Sequence, residues 1–507
     1  MKNSIVWLCS SIGVSFGYPE PELYSIASFL GRQGFQVLLD HLRIELYLRL
    51  KALFEGHPSL GLQAPSRGKL STRLDFERVN GLMEDYLHGC LYKLITGKDF
   101  IADFHARRMD RDLLQAVTAL VQDGVLAWKR EVLAAGPSIV LIAVSPRKVR
   151  EVLKHHEFPF VAEINFPAYL FNELHGGISS LFLLYANISV ENLALELRQP
   201  GRRVNFDMAI CNEPYGPLEA VLKAYRAGSD LPTSLPGTLC PSRDNGSLKV
   251  NPHCYGSTME YVVPDYSYLS RSLYRQISGD SLQVIVNGSM GCPLACAFCN
   301  VEHLYGPYRQ RSAADLVEEL LTCSYNFGIR RVSFNDRIMN ADPDRLEELC
   351  NGLIGAGFRG TWFCYAAVDI PLEMPLLEKM CKAGCSAITF GIESGSSRVL
   401  SLMGKSYGRD DASRAVKRTF AAGIPVIASF MTDFPGETEE DFFETLSFIE
   451  AHAGEIGNIR LNQFQPYAGS PVFRRHGNYG LTAADLDRPF EPSPRFAKLR
   501  EFVDSGS

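Results

Sequence analysis

Three cysteines within eight residues give the strongest chemical signal in this sequence. They are Cys292, Cys296 and Cys299 in the segment NGSMGCPLACAFCN, residues 287–300, with the spacing C-x3-C-x2-C. Thiolate sulfur is a soft ligand that suits iron–sulfur clusters and zinc. Three cysteines leave one iron of a 4Fe–4S cluster without a protein ligand, so that iron can bind a small chelating molecule.

Two other interpretations of this triad remain open. His303 lies four residues after Cys299, which would allow a zinc site with three cysteines and one histidine. The thiols could also be buried core residues that bind nothing. The tight spacing in a loop bounded by Gly291 and Pro293 favours the cluster over both alternatives.

The elements around the triad alternate between strand-like and helix-like segments. We predict strands at 282–286, 331–334, 361–366, 387–392, 425–431 and 458–464. Helices between them complete a partial TIM-type (β/α)6 barrel over residues 281–480, whose active site lies at the C-terminal strand ends. The triad directly follows the first strand, so it lies at that end of the barrel.

The region before the barrel alternates in the same way. Its predicted strands lie at 5–9, 35–39, 138–144, 159–164 and 204–211. We therefore expect an α/β chain whose residues 1–228 form a Rossmann-like doubly wound domain, with a helical insertion at about 43–134. Residues 229–280 are interpreted as a linker and residues 481–507 as a C-terminal tail.

Composition excludes several classes of protein. The chain has 507 residues and 46% hydrophobic content, yet no apolar run reaches the roughly 18–20 residues that span a bilayer. Lys plus Arg is 51 and Asp plus Glu is 57, so the net charge of −6 argues against a nucleic-acid partner. The 13 scattered cysteines favour reduced thiols. We expect a cytoplasmic protein without a membrane span.

The triad also carries a resemblance to a known family. Cys292, Cys296, Phe298 and Cys299 match the C-x3-C-x-aromatic-C signature, and on these residues the chain resembles the radical SAM enzymes. The resemblance implies a 4Fe–4S cluster whose open iron chelates S-adenosylmethionine (SAM). An external electron donor would reduce the cluster, which then cleaves SAM to a 5′-deoxyadenosyl radical. Phe298 resembles the aromatic residue that packs near the adenine.

Later segments resemble the same family in the same order. SFND, residues 333–336, ends the second strand, and the resemblance places Asn335 and Asp336 near the SAM amine. FGIESGSSRVLSLMGKSY, residues 390–407, resembles the fourth-strand segment, in which Glu393 and Ser394 would bind the ribose or the methionyl group. The segments at 433–449 and 465–473 resemble the fifth-strand PGET segment and the sixth-strand turn.

One departure from the family concerns the third strand. Related sequences often carry an arginine before an aspartate there, whereas this chain reads YAAVD at residues 365–369. We therefore expect the charged contact to the SAM carboxylate to come from Arg309, Arg311 or Arg337.

The N-terminal region resembles the cobalamin-binding domain of one radical SAM subfamily. Residues 17–40, 204–222 and 259–269 carry this resemblance. It implies cobalamin at the strand-end loops, which we place at 10–18, 145–147 and 165–168. His105 follows Asp103 in a D-x-H pattern but lies in the predicted insertion, so we expect no histidine below the cobalt.

The leading prediction is a cobalamin-dependent radical SAM enzyme. Its favoured reaction is methylation of an unactivated carbon through a 5′-deoxyadenosyl radical and methylcobalamin, as the resemblance implies. The alternative is a radical SAM enzyme that catalyses cyclisation or rearrangement, with or without cobalamin. A non-catalytic scaffold is disfavoured by the intact triad. The substrate, a small molecule or a peptide, is not identified by any motif, and neither is a catalytic acid or base.

Overall fold

The structure, a computed structural model, divides the chain into two compact units. The residues it describes are 4–10, 21–55, 83, 86–87, 89–94, 97, 109–144, 162–186, 190–197, 205–241, 247–256, 259–278, 282–486 and 492–504. The first unit holds the described residues before 282 apart from 255–261, which belong to the second unit with residues 282 onwards.

The first unit is built on a seven-stranded sheet in the order β2-β1-β3-β4-β5-β6-β7. Its strands are β1 (Ile5–Ser10), β2 (Gln36–Asp40), β3 (Ile139–Val144), β4 (Leu181–Ala186), β5 (Met208–Cys211), β6 (Thr238–Pro241) and β7 (Leu248–Asn251). The first five are parallel, and β6 and β7 extend the sheet antiparallel. Such short, almost wholly apolar strands are typical of a sheet that is buried on both faces.

Helices connect the parallel strands, as a doubly wound sheet requires. The described helices of this unit are α1 (Pro21–Arg32), α2 (Leu42–Glu55), α3 (Arg111–Ala135), α4 (Ala162–Leu174), α5 (Val190–Leu197), α6 (Tyr215–Ala227) and α7 (Arg271–Ser278), of which α1 to α5 lie between parallel strands. The α3 helix begins at Asp110, whose side chain accepts from the N–H groups of Asp112 and Leu113, and ends at Gly136 with φ 53°. No helix in these described ranges has the length and apolar character to cross a membrane.

Three sequence predictions differ from this unit. The strand predicted at 159–164 is wrong where it is described, because residues 162–174 are helical despite Pro167. The strand at 181–186 was missed, although its run LFLLYA is continuous and apolar. Residues 238–251, interpreted as linker, include two further strands of the sheet, because β6 pairs antiparallel with β5 and β7 pairs antiparallel with β6.

The second unit contains the predicted partial barrel. Its main sheet has six parallel strands in the order β15-β14-β13-β12-β11-β8. These are β8 (Gln283–Val286), β11 (Arg331–Phe334), β12 (Thr361–Ala366), β13 (Cys385–Glu393), β14 (Val426–Thr432) and β15 (Ile456–Gln463). A short ribbon of β9 (Ser289–Met290) and β10 (Arg309–Gln310) lies beside it.

The helices of the second unit lie between its strands and after them. They are α8 (Val301–Tyr305), α9 (Ala313–Leu321), α10 (Pro343–Gly355), α11 (Met374–Lys382), α12 (Ser397–Leu402), α13 (Arg409–Ala421), α14 (Glu439–Ala451), α15 (Pro471–Arg474), α16 (Ala483–Leu486) and α17 (Pro494–Asp504). The predicted fold class, a Rossmann-like unit and a partial barrel, is confirmed. The segment interpreted as a tail contains α17, which buries Leu499 and pairs Arg495 with Glu437 and Glu439.

Candidate radical SAM site

The cysteine triad lies in the loop that follows β8, as expected. A glycine shapes the approach to this loop, because Gly291 has φ 78° and a Cβ there would lie 2.6 Å from the carbonyl oxygen of Pro307. Only glycine combines this left-handed backbone with so close a contact. The β9–β10 ribbon pairs Met290 with Arg309, so residues 289–310 form a closed loop that carries all three thiols.

The three thiols are half-buried and form no disulfide. Burial raises the pKa of Cys292, and it raises the pKa of Cys296 to about 11. The positive charges of Arg337, beside Cys292, and Lys405, beside both cysteines, oppose these shifts. Thiols in this setting stay protonated at neutral pH until a metal displaces the proton. The soft donor set therefore fits an iron–sulfur cluster.

The zinc alternative has a specific requirement that can be checked. A single zinc ion needs its ligands to converge on one point, and in the described residues no group of three His, Cys, Asp or Glu side chains does so. The thiolates of a cluster each bind a different iron, so they need no common point. His303, the candidate fourth ligand, is exposed on α8 and packs against Gly469.

Phe298 packs its ring against the apolar side of the barrel. Its ring centroid lies 6.5 Å from that of Phe434 in an edge-to-face arrangement. Phe298 also packs against a buried cluster of aliphatic and aromatic residues that includes Val399 and Met403. The Lys405 ammonium lies 5.5 Å from the centre of the Phe298 ring. The aromatic position of the triad motif is thus held rigidly beside a cation.

Glu393 is the most unusual residue at the strand ends. It is 9% exposed, and its φ is +65°, which is rare for a residue with a side chain. The β13–β14 pairing shifts its register between Gly391 and Glu393, so a bulge directs this side chain. Burial raises the pKa of Glu393, and Lys405 opposes that shift. Within the described chain the carboxylate has no hydrogen-bond donor, so strain and burial are both uncompensated.

Lys405 is a site residue that the sequence analysis did not identify. Burial lowers the pKa of its ammonium, but Tyr407, Glu393 and Cys296 outweigh burial and raise that pKa above its usual value. The loop is held by Asp369, which accepts from the N–H and hydroxyl of Ser406 at 3.0 and 2.8 Å. A lone lysine in a loop carries no spacing signal, so only the tertiary structure reveals it.

Asn335 and Asp336 lie at the end of β11, but both contact protein groups. The Asp336 carboxylate is 1% exposed and accepts from the N–H of Gly288 at 2.8 Å. Arg345 approaches the same carboxylate at 3.5 Å. The amide of Asn335 donates to the side-chain oxygen of Asn287 at 2.9 Å. Both residues therefore hold the backbone that leads into the triad loop.

Ser394 also has its hydrogen bonds inside the protein. Its hydroxyl lies 3.1 Å from that of Thr445 on α14 and accepts from the N–H of Ser396 at 3.1 Å. Asp441 accepts from the Ser396 hydroxyl at 2.7 Å, and the Arg398 guanidinium keeps the pKa of Asp441 well below its usual range. These contacts tie the loop after β13 to α14.

The three arginines predicted to contact SAM differ in their surroundings. Arg309 is buried, donates to the carbonyl of Pro307 at 2.9 Å and stacks on Tyr255. Arg311 is buried in an ion pair of 2.6 Å with Glu319. Arg337 is half-buried over the ring of Tyr305 and has no hydrogen bond within the described part of the chain. Among the three, Arg337 retains its donors for a ligand.

Cys381 and Cys385, four residues apart in the sequence, lie on different elements. Cys381 is exposed on α11, and Cys385 is the first, buried residue of β13. The turn at Ala383 and Gly384 ends the helix between them because Gly384 has φ 92°. These two thiols therefore do not form a pair.

Several residues that were predicted to lie at or near the cobalamin site are not described, or lie in a different element. Residues 11–18, 145–147 and His105 lie outside the described residues. Residues 165–168, expected in a loop, lie inside helix α4. Asn212, in the late segment of this unit, has φ 53° at the end of β5, and its carbonyl accepts from the Tyr185 hydroxyl at 2.9 Å. The described residues therefore include only part of the loops that were predicted to bind cobalamin.

Comparison with known proteins bears on both units. Residues 286–449 match the family model of the Radical SAM superfamily. An uncharacterised methyltransferase of Pyrococcus horikoshii is 28% identical over 234 residues, which cover 46% of this chain and 50% of that protein. The chain thus spans about half the length of this curated relative.

Two solved structures share the fold. OxsB, described as a cobalamin-dependent S-adenosylmethionine radical enzyme with aqua-cobalamin and SAM bound, matches with a TM-score of 0.63 and 14% identity over 98% of this chain and 64% of its own. TsrM from Kitasatospora setae, a radical SAM methyltransferase with cobalamin and a 4Fe–4S cluster bound, matches with a TM-score of 0.60 and 14% identity over 92% and 77%. This chain therefore carries a radical SAM domain, and the family predicted from the triad is confirmed.

Proposed function

We propose that this protein is a cobalamin-dependent radical SAM methyltransferase. The observation that carries the radical SAM part of the proposal is the cysteine triad in the loop after β8, with the oppositely charged Glu393 and Lys405 beside it at the C-terminal strand ends. A buried carboxylate without a hydrogen-bond donor, such as that of Glu393, is costly, and such groups gather at functional sites. In the residues that the structure describes, this arrangement occurs in the loop region where barrel enzymes bind their ligands.

Cys292, Cys296 and Cys299 would hold the 4Fe–4S cluster. When the cluster, SAM and cobalamin are bound, they supply one-electron cleavage of SAM to a deoxyadenosyl radical and a carrier for the methyl group. An external electron donor would provide the electron. The chain itself binds these groups, orients them and excludes water from the reacting atoms.

Glu393 would accept hydrogen bonds from the SAM amine or ribose. Its bulged backbone presents the carboxylate at the strand end, and no described protein donor competes for it. A ligand ammonium placed there would lower the pKa of Glu393 and remove the cost of burying its charge. The strain at φ +65° is consistent with a residue kept for binding rather than for stability.

Lys405 and Arg337 would bind the SAM carboxylate or balance the negative charge of the cluster. Lys405 faces Cys296 and the Phe298 ring, and Arg337 lies beside Cys292. Two cations next to the thiols favour the thiolate form that iron requires. Arg309 and Arg311 instead support the loop, since both are buried against protein acceptors.

Asn335, Asp336 and Ser394 would be positioning residues. The Asp336 carboxylate accepts from the N–H of Gly288 and pairs with Arg345. The Ser394 hydroxyl hydrogen-bonds to Thr445 and accepts from the N–H of Ser396. None of these side chains needs to touch SAM for the site to depend on it. Their loss would displace the triad loop or the loop after β13.

Cobalamin would bind the first unit at the carboxyl ends of its parallel strands. The parallel order β2-β1-β3-β4-β5 has its switch point between β1 and β3, where a doubly wound sheet binds ligands. The fold likeness to OxsB and TsrM supports this proposal, because both were solved with cobalamin bound. We propose no histidine ligand below the cobalt, with His105 outside the site.

One experiment tests the cobalamin part of this function. The full chain is reconstituted anaerobically with iron, sulfide and hydroxocobalamin, desalted, and examined by visible absorption. We expect corrin bands that survive desalting, both in the parent and in His105→Ala. Loss of the corrin in the His105 variant would contradict the proposed ligand-free cobalt, and a parent without corrin bands would favour cobalamin-free radical chemistry.

A further inference from the structure

The inner face of the barrel can be identified from the alternation along β12. Trp362, Cys364 and Ala366 are buried, and the Trp362 indole donates to the carbonyl of Ala383 beneath the helix layer. Phe363 and Tyr365 point to the opposite face and are half-buried. Because helices cover the outside of a βα barrel, Phe363 and Tyr365 face its interior.

Arg460 reaches across this inner face. It belongs to β15, where it pairs in register with Ser429 of β14, and its Nη1 donates to the Tyr365 hydroxyl of β12 at 2.7 Å. The sheet order places β14 and β13 between these two residues. The guanidinium carbon lies 5.7 Å from the Phe363 ring centre and 5.4 Å from that of Tyr365. The side chain therefore crosses the concave surface of the sheet.

Arg460 has no acidic partner within the residues that the structure describes. Its contacts there are the Tyr365 hydroxyl and the two aromatic rings, which leaves donors of the guanidinium unused. The hydroxyl of Thr389, which pairs in register with Tyr365, is buried and has no hydrogen bond among these residues. The inner face thus combines an unmatched cation with an unsatisfied hydroxyl.

Two buried arginines of this unit contrast with the half-buried Arg460. Arg311 pairs with Glu319 at 2.6 Å, and Arg345 pairs with Asp336 at 3.5 Å. Those two stabilise loops, and their charges are balanced by carboxylates of the chain. Arg309, also buried, donates to the carbonyl of Pro307 and stacks on Tyr255. The charge of Arg460 has no carboxylate partner among the described residues, so it is available to an anionic ligand.

We propose that Arg460 and Tyr365 bind an oxyanion of the substrate, a carboxylate or a phosphate, inside the barrel. The planar fork of a guanidinium matches two oxygens of either group. Tyr365 accepts from Arg460 and can donate its own proton to the same anion. The Phe363 ring, 5.3 Å from that of Tyr365, offers an apolar wall for the adjoining part of the substrate. This proposal rests on the proposed function, in which SAM binds and is cleaved at the C-terminal strand ends of the barrel.

The test measures anion binding by the full chain, reconstituted with its cluster under anaerobic conditions. Benzoate, phenyl phosphate and the neutral isostere benzamide are titrated separately and followed by saturation-transfer NMR. We expect saturable binding of one or both anions and at least about 10-fold weaker binding of benzamide, because the charge-assisted hydrogen bonds are lost. The tighter of the two anions identifies the oxyanion. Equal binding of benzamide, or no binding of either anion, overturns the proposal.

Variants assign the binding to this residue. Arg460→Gln should weaken anion binding at least about 10-fold, and Arg460→Lys should weaken it less, because the charge remains while the fork is lost. Tyr365→Phe should cost about 5-fold by removing one neutral hydrogen bond. Arg359→Gln, at an exposed arginine before β12, is the matched control and should bind as the parent does. Unchanged affinity in both Arg460 variants overturns the proposal.

Failure of this inference can be separated from failure of the proposed function. The titration requires neither SAM nor turnover, and iron content is measured on the same samples. Anion binding lost in Arg460→Gln with iron retained supports the oxyanion site alone. Iron retained in the parent with no anion binding overturns this inference and leaves the radical SAM proposal intact.

Discussion

The two units end their parallel strands in contrasting ways. In the first unit, β2 ends at Asp40, whose two oxygens accept from the Trp7 indole at 2.9 Å and the N–H of Leu42 at 2.7 Å. In the second unit, β13 ends at Glu393, whose carboxylate finds no donor among the described residues and whose φ is +65°. Glu393 is buried and Asp40 is half-buried, and this burial raises the pKa of Asp40 to about 6 and also raises that of Glu393.

This contrast teaches which buried acids indicate chemistry. Burial and a raised pKa are common to both residues, so neither property distinguishes a binding site from a structural one. Asp40 has donors from its own unit and a relaxed backbone, whereas Glu393 has strain and no donor. An unpaired, strained carboxylate beside the cation of Lys405 is the combination that a ligand would resolve.

The largest expected effect is at the triad itself. Each single alanine variant of the triad should lose deoxyadenosine formation and most of its iron; the variants are Cys292→Ala, Cys296→Ala and Cys299→Ala. With one thiolate missing, two irons of the cluster would lack a protein ligand, and the cluster would not be retained. The fold should persist, since these thiols are half-buried loop residues. Cys381→Ala, at an exposed thiol on α11, is the control and should retain iron. Iron counts and deoxyadenosine assays measure the effect, and full activity of a triple variant would falsify the cluster.

The next effect separates Asp336 from Glu393. Asp336→Ala should lower the free energy of unfolding by about 3–5 kcal/mol, because it leaves Arg345 buried without its carboxylate. Glu393→Gln should leave the unloaded protein equally stable or more stable, because it removes a buried charge that has no donor. Chemical denaturation of both variants, with Glu348→Ala as an exposed control, measures the difference. Equal losses in the two variants would mean that the contrast is wrong.

A smaller effect is expected on SAM affinity at Lys405. Lys405→Met keeps the apolar stem but removes the charge, so SAM should bind about 10- to 150-fold more weakly. Lys382→Met, at an exposed lysine at the end of α11, should bind SAM as the parent does. Equilibrium dialysis on the reconstituted protein measures both. Parent-like affinity in Lys405→Met would exclude a contact between Lys405 and SAM.

The smallest effect concerns pH dependence near the end of the fifth barrel strand. Burial raises the pKa of Glu437 from 4.5 to about 7, although Asp433 donates its N–H to that carboxylate at 2.5 Å and Arg495 lies at 3.7 Å. The folded state holds this proton more tightly than the unfolded chain, so the free energy of unfolding should fall as pH rises from about 4.5 to about 7.

The Glu437→Gln variant tests that direction. It should remove about 1–3 kcal/mol of the pH dependence across this window and be more stable than the parent at pH 8. Urea unfolding at several pH values provides the measurement. A variant with the same pH profile as the parent would show that Glu437 titrates normally.

The barrel could be predicted from sequence because its strands are short apolar runs separated by helices with clear starts and stops. The strands at 331–334 and 361–366 were predicted to the residue for this reason. The hairpin at 238–251 was not, since its pairing with β5 involves residues distant in sequence and its Pro and Gly content is typical of linkers. Strand 181–186 lies after a Gly-Gly pair that obscured it.

The site was predictable only where spacing carries the information. The triad and Phe298 follow a fixed local pattern, whereas Lys405 acquires its role from Cys296 and Glu393, more than ten residues away. From the sequence, Asp336 and Glu393 have the same expected role, because both are acids at predicted strand ends. Arg345 and the N–H of Gly288 contact the carboxylate of Asp336, whereas no described donor contacts that of Glu393. This difference depends on tertiary contacts alone.

Low-temperature electron paramagnetic resonance tests the central claim most directly. The full chain is reconstituted anaerobically with iron and sulfide, reduced with dithionite, and measured before and after SAM is added. We predict the signal of a reduced 4Fe–4S cluster that changes when SAM binds the open iron, and no such signal in the triple cysteine variant. A parent protein that shows no cluster signal, or a signal that SAM leaves unchanged, would contradict the account.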